Sequence, residues 1–462
     1  MAATGIMAAH LDAVPLDGPA AHARDAQPWP PARRAWIAVW LLAISLMFMQ
    51  VDQGVIGFLV APIKRDFHLS DVEVSYLMGL ASVIVYAFIG IPMGRLVDRY
   101  PRNIVLSIGV FGIGLATCLC GIAQTFWTFF ACRMLVGASG SANGPGSYSM
   151  IADLFPPEKL PRAIAVIQIG FTMGLGASLV IGGQLVQLAL GWGDMVLPGI
   201  GVIRSWQYVF LFAGLPSLVM ALLIRLIPEP TRRGLVSAAQ QSLPLGQIAR
   251  EFWRLRGVYV PMFLGLALTS MVVFGVGAWR TAFIQRAYGW APGKIGLWSG
   301  IATLAGSWIG IAIGTRMTEW LGKRHTDAPL RTVAILTALC APFFAVSTLM
   351  PTAELCILTS AFAAAFGIGS AVPQNVAIQI ITPNQMRGQI TALYLFIFTV
   401  IGIGLGPNLI TAVSAALGGE AQLGPAMALA GAVMVPLAAV VLALGMRHYR
   451  AEIEAREGAG LI

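Results

Sequence analysis

The chain has 462 residues, of which 57% are hydrophobic and only 11% charged, with a mean hydropathy of +0.79 and a formal charge of +9. So few charges cannot shield that much apolar surface from water, which excludes a soluble fold and makes this a polytopic membrane protein. The basic residues are scattered over short polar intervals and form no stripe, so nucleic acid is excluded as a partner and the lipid bilayer is the expected surrounding.

Residues 1–35 are rich in Ala and Pro, mix Asp12, Asp17 and Asp25 with Arg24, Arg33 and Arg34, and read as a disordered tail, not a signal peptide. Beyond them, Asp52 and Arg133 apart, no Asp, Glu, Lys or Arg falls within 35–63, 74–94, 103–152, 163–193, 205–224, 257–279, 295–315, 332–353, 355–386, 388–419 or 421–446. A helix crossing the hydrocarbon core needs about 20 apolar residues. Each window holds one crossing, and 103–152, interrupted at Ala123-Gln124-Thr125, holds two, which gives twelve. The polar interval 228–256 separates a six-helix half at 36–227 from another at 257–447, and 448–462 forms a second tail. The fold class is therefore an all-α membrane protein with twelve transmembrane helices in two six-helix bundles.

Placing the N-terminus in the cytoplasm puts 22 of the 29 Lys and Arg on that side; Lys64, Arg65, Arg204, Arg286 and Lys294 lie outside, and Arg133 and Arg280 in or near the membrane. This positive-inside bias predicts that both termini are cytoplasmic. The absence of a targeting segment and the short loops fit a bacterial inner membrane. Cys118, Cys120, Cys132, Cys340 and Cys356 lie in or beside apolar spans without metal-ligand spacing, and read as small buried hydrophobes.

The two halves echo one another. Gly94-Arg95-Leu96-Val97-Asp98-Arg99-Tyr100-Pro101-Arg102 links spans two and three, and Gly314 to Glu319 with Lys323-Arg324 links spans eight and nine. Asp153 to Glu158 with Arg162 has its counterpart in Pro383 to Arg387. Paired six-helix repeats around a site at their interface are a common transporter plan.

The stretch Gly94-x-Leu96-x-Asp98-Arg99-x-x-Arg102 resembles the signature loop of the major facilitator superfamily, and Arg133-x-x-x-Gly137 resembles the pattern on its fourth helix. Within that superfamily, Asp52, Ala61-Pro62-Ile63-Lys64, Gly90-Ile91-Pro92 and Asp153 to Glu158 are similar to the spinster-like lipid transporters. The resemblance implies the major facilitator fold, alternating access and a lysolipid or sphingolipid-like substrate. Two departures stand out: Gln53 occupies the place of the Arg that usually follows the helix-one Asp, and Gly140 aligns with a helix-four Glu. Any proton coupling shared between two carboxylates would then fall on Asp52 alone.

Asp52 is the one acid in the 29-residue interval 35–63. Burial favours a neutral carboxyl and a nearby cation favours its anion, so a carboxyl between the two can load and release a proton. A static ion pair and a substrate contact are its other possible roles. Arg133 lies at similar depth on helix four and can pair with it; always charged, it serves as counter-ion or as an anchor for an anion. Gly137 and Ser141 follow Arg133 at intervals of four, a spacing that permits close helix packing. Gly94, Asp98, Arg99, Arg102, Asp153, Glu158, Arg162 and Arg387 are expected to form a cytoplasmic gate. Arg280, beside Trp279, Arg286, Tyr288 and Trp290, reads as part of an outer aromatic belt or as a recruitment site for anions. Gln53, Asn143, Gln168, Gln374, Asn375 and Asn408 are the uncharged polar residues placed toward the interior.

These features predict a proton-coupled secondary transporter of a small amphipathic or anionic substrate, acting as a monomer and without a cofactor. An organic-acid or sugar-acid transporter is the alternative, and a non-transporting membrane sensor a remote one. His10, His22, His68, His325 and His448 all lie in tails or loops and no span holds two acids, so neither a metal site nor a nucleophile with its base is expected, and the chain is not an enzyme.

Overall fold

A computed structural model describes residues 29–156, 158–197, 201–232, 245–383 and 386–458. Among these, eleven helices are long and apolar enough to cross a membrane. The remaining crossing is assembled from two pieces. Helix four runs as Phe126–Gly140 and Asn143–Leu154, each too short to span alone, broken at Ser141 and Ala142. Pro145 explains the break, because its ring lacks an N–H and would collide with the carbonyl one turn back. Ser141 Oγ donates to the Ala138 carbonyl at 2.7 Å there. Helix ten repeats the device: Ala353–Gly369 and Ala371–Ile381 meet at Ser370, just ahead of Pro373, and Ser370 Oγ donates to Gly367 at 2.7 Å.

The other crossings are helix one, Ala32–Val55, extended by a 3-10 turn Ile56–Phe58; helix three, Arg102–Cys120; helix five, Leu160–Leu190; and helix six, Gln207–Arg225. In the second half come helix seven, Arg256–Tyr288; eight, Pro292–Gly322; nine, Ala328–Ser347; and twelve, Leu423–Gly458. Helix two joins Asp71–Ser75 to Ala81–Arg99 through a π turn at Tyr76–Leu80. Helix eleven likewise joins Arg387–Ile397 to Leu405–Ala416 through Phe398–Gly404. A two-stranded hairpin, β1 Met195–Leu197 with β2 Gly201–Ile203, lies between helices five and six.

Three boundaries differ from the sequence reading. Helix one begins at Ala32, behind Pro31, because Trp36 seats against Phe155 with ring centroids 5.0 Å apart; residues 1–28 of the expected tail lie outside the described residues. The interval 228–256 contains a helix, Leu245–Arg254, while 233–244 also lie outside them. Helix twelve continues past residue 448, since Tyr449 and Ile453 are buried on one face and Arg456 pairs with Glu452 at 3.0 Å on another.

An even number of crossings leaves both chain ends at one side of the bundle, called here the terminal end, opposite a distal end. The halves meet at the distal end. At the two π turns, a Cβ on Gly79 would collide with the backbone carbonyl of Gly404, so only glycine admits this approach. Helices five and eight meet along Gly176 and Gly300, where a Cβ on Gly300 would lie 2.7 Å from the Gly176 carbonyl. Helix one meets helix seven where a Cβ on Gly57 would lie 2.8 Å from the Ala278 carbonyl. At the terminal end, Asn143–Leu154 and Ala371–Ile381 pack chiefly within their own halves.

Candidate functional site

The structure brings Asp52 and Arg133 together. Arg133 Nη1 donates to Asp52 Oδ2 at 2.6 Å, and Thr117 Oγ1 of helix three donates to Oδ1 at 3.1 Å. The arginine side chain is 0% exposed and the aspartate 3%. Arg133 Nε and Nη2 are buried without a hydrogen-bond partner among the described residues. A single carboxylate therefore carries most of the compensation for an enclosed cation, and the pair is closed to solvent. Removing either member of such a pair costs about 3–5 kcal/mol, because the other is left as an unbalanced buried charge. Thr117 carries no sequence signal, since a hydroxyl in an apolar helix most often bonds its own backbone.

Gly137 has a packing role: a Cβ there would collide with the backbone of Ser82 on helix two. That contact seats helix four against helix two and fixes the approach of Arg133. Gly140 faces apolar atoms, with Met49 Sδ 3.7 Å and Ile113 Cδ1 3.8 Å from where its Cβ would be, so no second carboxylate stands here.

The other polar residues are dispersed. Asn143 is buried and donates to Met49 Sδ at 3.7 Å. Gln168 accepts from Tyr148 at 2.7 Å. Asn375 bonds the Ala371 carbonyl of its own helix at 2.8 Å, Gln374 is half-buried, and Gln53 is exposed. Asn408 Oδ1 is buried without a partner among the described residues.

Arg280 does not sit in an outer belt. Helix seven runs on to Tyr288, which leaves residues 279 and 280 more than two turns inside it. Trp279 is fully buried and donates to the Pro407 carbonyl at 3.2 Å. Arg280 Nη2 donates to Thr303 Oγ1 of helix eight at 3.3 Å, and its Nε is buried without a partner among the described residues. The belt pattern falls instead at Trp290, under Lys294 at 3.5 Å.

At the terminal end, Arg102 and Asp98 of the expected gate make contacts with the first half and the interval that follows it, and Arg387 makes its contact in the second half. Arg102 pairs with Asp153 at 2.5 Å and Glu229 at 2.9 Å. The Asp98 carbonyl accepts from Arg232, which also donates to Val97 at 2.9 Å and Tyr100 at 2.7 Å. Asp98, Arg99, Glu158 and Arg162 are exposed, Gly94 has nothing within 4 Å of its would-be Cβ, and Arg387 donates to the Gln379 carbonyl at 3.1 Å.

Sequence reasoning missed the cluster that ties the halves at the distal end. Asp71 accepts from Lys64 at 2.7 Å in its own half and from Arg286 of the other half at 2.6 and 2.8 Å. Glu420 of the second half accepts from the Asp71 amide at 3.0 Å and pairs with Lys64. In sequence Lys64 and Arg286 stand among the charges outside the membrane, and nothing there pairs Arg286 with Asp71 or Lys64 with Glu420, because these partners come from remote parts of the chain. Among the described residues, no group of three or more His, Cys, Asp or Glu is placed to hold a metal.

Comparison with known proteins gives the same architecture. The family model of the Major Facilitator Superfamily matches residues 42–407. An "MFS-type efflux pump" of Mycolicibacterium smegmatis is 30% identical over 433 residues, covering 91% of this chain and 95% of that protein. A "Gallate transporter" of Pseudomonas putida is 28% identical over 356 residues, covering 70% and 73%. The crystal structure of a bacterial homologue of the human lysosomal transporter Spinster, inward-facing and unoccupied, superposes with a TM-score of 0.76 at 22% identity, covering 92% of this chain and 98% of that one.

Proposed function

The chain belongs to the major facilitator superfamily, and from that premise we propose that it is a spinster-like transporter that couples substrate movement to protons through Asp52. The observation that carries the reading is the enclosed Asp52–Arg133 pair. Protonation of Asp52 would cancel the charge that balances Arg133, an energetic change large enough to favour one arrangement of the helices over another. In the closed distal-end state the pair is shut off from water. Proton exchange then belongs to the rearrangement between states, which ties the proton to the transport cycle.

The substrate is a small amphipathic or anionic molecule, lysolipid or sphingolipid-like. An organic acid is the second reading, favoured by the similarity to a gallate transporter. The charge bias places both termini in the cytoplasm, so that the terminal end faces inward, in a bacterial inner membrane. The protein acts as a monomer, and the terminal-end residues Gly94, Asp98, Arg99, Arg102, Asp153, Glu158, Arg162 and Arg387 regroup when that end closes.

The test is uptake into proteoliposomes with and without an imposed pH gradient. Wild-type transport accelerates under the gradient, whereas Asp52→Asn, assayed as folded monodisperse protein, transports at one rate in both conditions. Gradient-driven acceleration that survives in Asp52→Asn removes Asp52 as the proton carrier.

A further inference from the structure

We infer that Arg280 is the anchor for the substrate's anionic head, and that Arg133 is not. This deepens the transport reading, resting on it only for the premise that substrate passes between the halves. The two membrane arginines are in opposite circumstances. Arg133 is fully enclosed and already neutralised by Asp52. Arg280 has a neutral hydroxyl as partner, and the residue as a whole is only partly buried.

Its neighbours locate it. On helix seven, Ala278 and Thr281 press against Gly57 of helix one, across the boundary between halves. On helix eight, Gly300 and Leu304 press against Gly176 of helix five, across the same boundary. Arg280 and Thr303 thus lie between two inter-half contacts. Gly277, one turn before Arg280 on the same side of the helix, is exposed and has nothing within 4 Å of its would-be Cβ, so this side of helix seven borders open space. Helices one and seven run in the same direction, and the exposed Gln53 stands one turn back from Gly57, near the face of helix one that meets helix seven.

A guanidinium with an unpartnered Nε and a neutral hydroxyl at its edge suits a planar or tetrahedral oxyanion, which Arg binds through two parallel hydrogen bonds. The surrounding helices are apolar. The ligand is therefore a carboxylate or phosphate monoester carried on an apolar body.

The experiment uses the purified full-length protein, with gallate and lysophosphatidic acid as probes and methyl gallate as the uncharged control, read by thermal shift and by titration. Wild type binds at least one of the two anions in preference to methyl gallate. Arg280→Gln weakens that anion by about 10- to 100-fold, the effect of a lost charge-assisted contact, and Arg280→Lys restores part of it. Gly277→Leu, whose Cβ would meet nothing within 4 Å, abolishes anion binding at unchanged stability and serves where Arg280→Gln does not fold. Which anion binds separates a lipid source from a free organic acid. Binding of neither anion, or wild-type affinity in folded Arg280→Gln or Gly277→Leu, overturns the assignment. Asp52→Asn retains anion binding while losing gradient dependence, and Arg280→Gln shows the reverse, so this inference and the coupling proposal fail separately.

Discussion

The two ends of the bundle differ in whom their charges hold. At the distal end Asp71 reaches Arg286, and Glu420 reaches Lys64, across the boundary between halves, and glycines on facing helices bring backbones into contact. At the terminal end Arg102 binds Asp153 of its own half and Glu229 just beyond helix six, while Asp327 of the second half binds Arg331 and Arg450. Charges at the first end stabilise one arrangement of the halves; charges at the second stabilise each half whatever its partner does. Substitutions of similar chemistry should therefore have different consequences at the two ends.

The largest effect is expected at Asp71, whose side chain is 6% exposed and whose two oxygens serve both cations. Asp71→Ala leaves Arg286 without that acceptor and should cost the closed distal end about 3 kcal/mol, the scale of a broken enclosed pair. Spin labels at Arg65→Cys and Leu417→Cys on a cysteine-free background would then report a longer, broader distance distribution at the distal end. An unchanged distribution would mean that helix packing alone holds the halves.

Glycine gives a sharper comparison because one substitution has opposite signs at the two ends. Gly79→Ala drives a methyl group into the Gly404 carbonyl and should destabilise by about 1–3 kcal/mol, as overpacking does. Gly94→Ala enters open space within a helix and should be neutral or stabilise by up to about 1 kcal/mol. Melting temperatures of the two variants in the same detergent check this, and equal shifts would contradict the difference between the ends.

The architecture was legible because the membrane imposes it: uncharged windows long enough to span are hard to explain otherwise, and both isolated ions inside them, Asp52 and Arg133, have become partners. Depth along two helices was enough to pair them. Thr117, Glu420 and Arg286 were not legible as partners, since their contacts join residues brought together only by the packing of several helices. The aromatic neighbours of Arg280 mislead for a related reason. Aromatic neighbours in sequence imply a headgroup belt only if the helix ends there, and helix seven extends more than two turns further. The break in helix four was written in Pro145, but its position within an uncharged window hid it.

The smallest effect expected belongs to the terminal end. Asp327 precedes helix nine; burial alone would raise its pKa, but hydrogen bonds from Arg331 at 3.1 Å and Arg450 at 2.9 Å outweigh that and hold it below the usual carboxylate value. A carboxyl with a lowered folded-state pKa adds stability above its unfolded pKa, and loses that contribution as pH falls through the folded one. Asp327→Asn should therefore destabilise the second half at neutral pH by on the order of 1 kcal/mol, without changing the distal-end distance distribution. The gap in melting temperature between wild type and variant should begin to narrow as the pH falls below the unfolded carboxylate pKa, and close only below the lowered folded one, where the wild-type carboxyl is neutral as well. A gap that persists undiminished there would show that Asp327 acts through its shape beside helix nine and not through its charge.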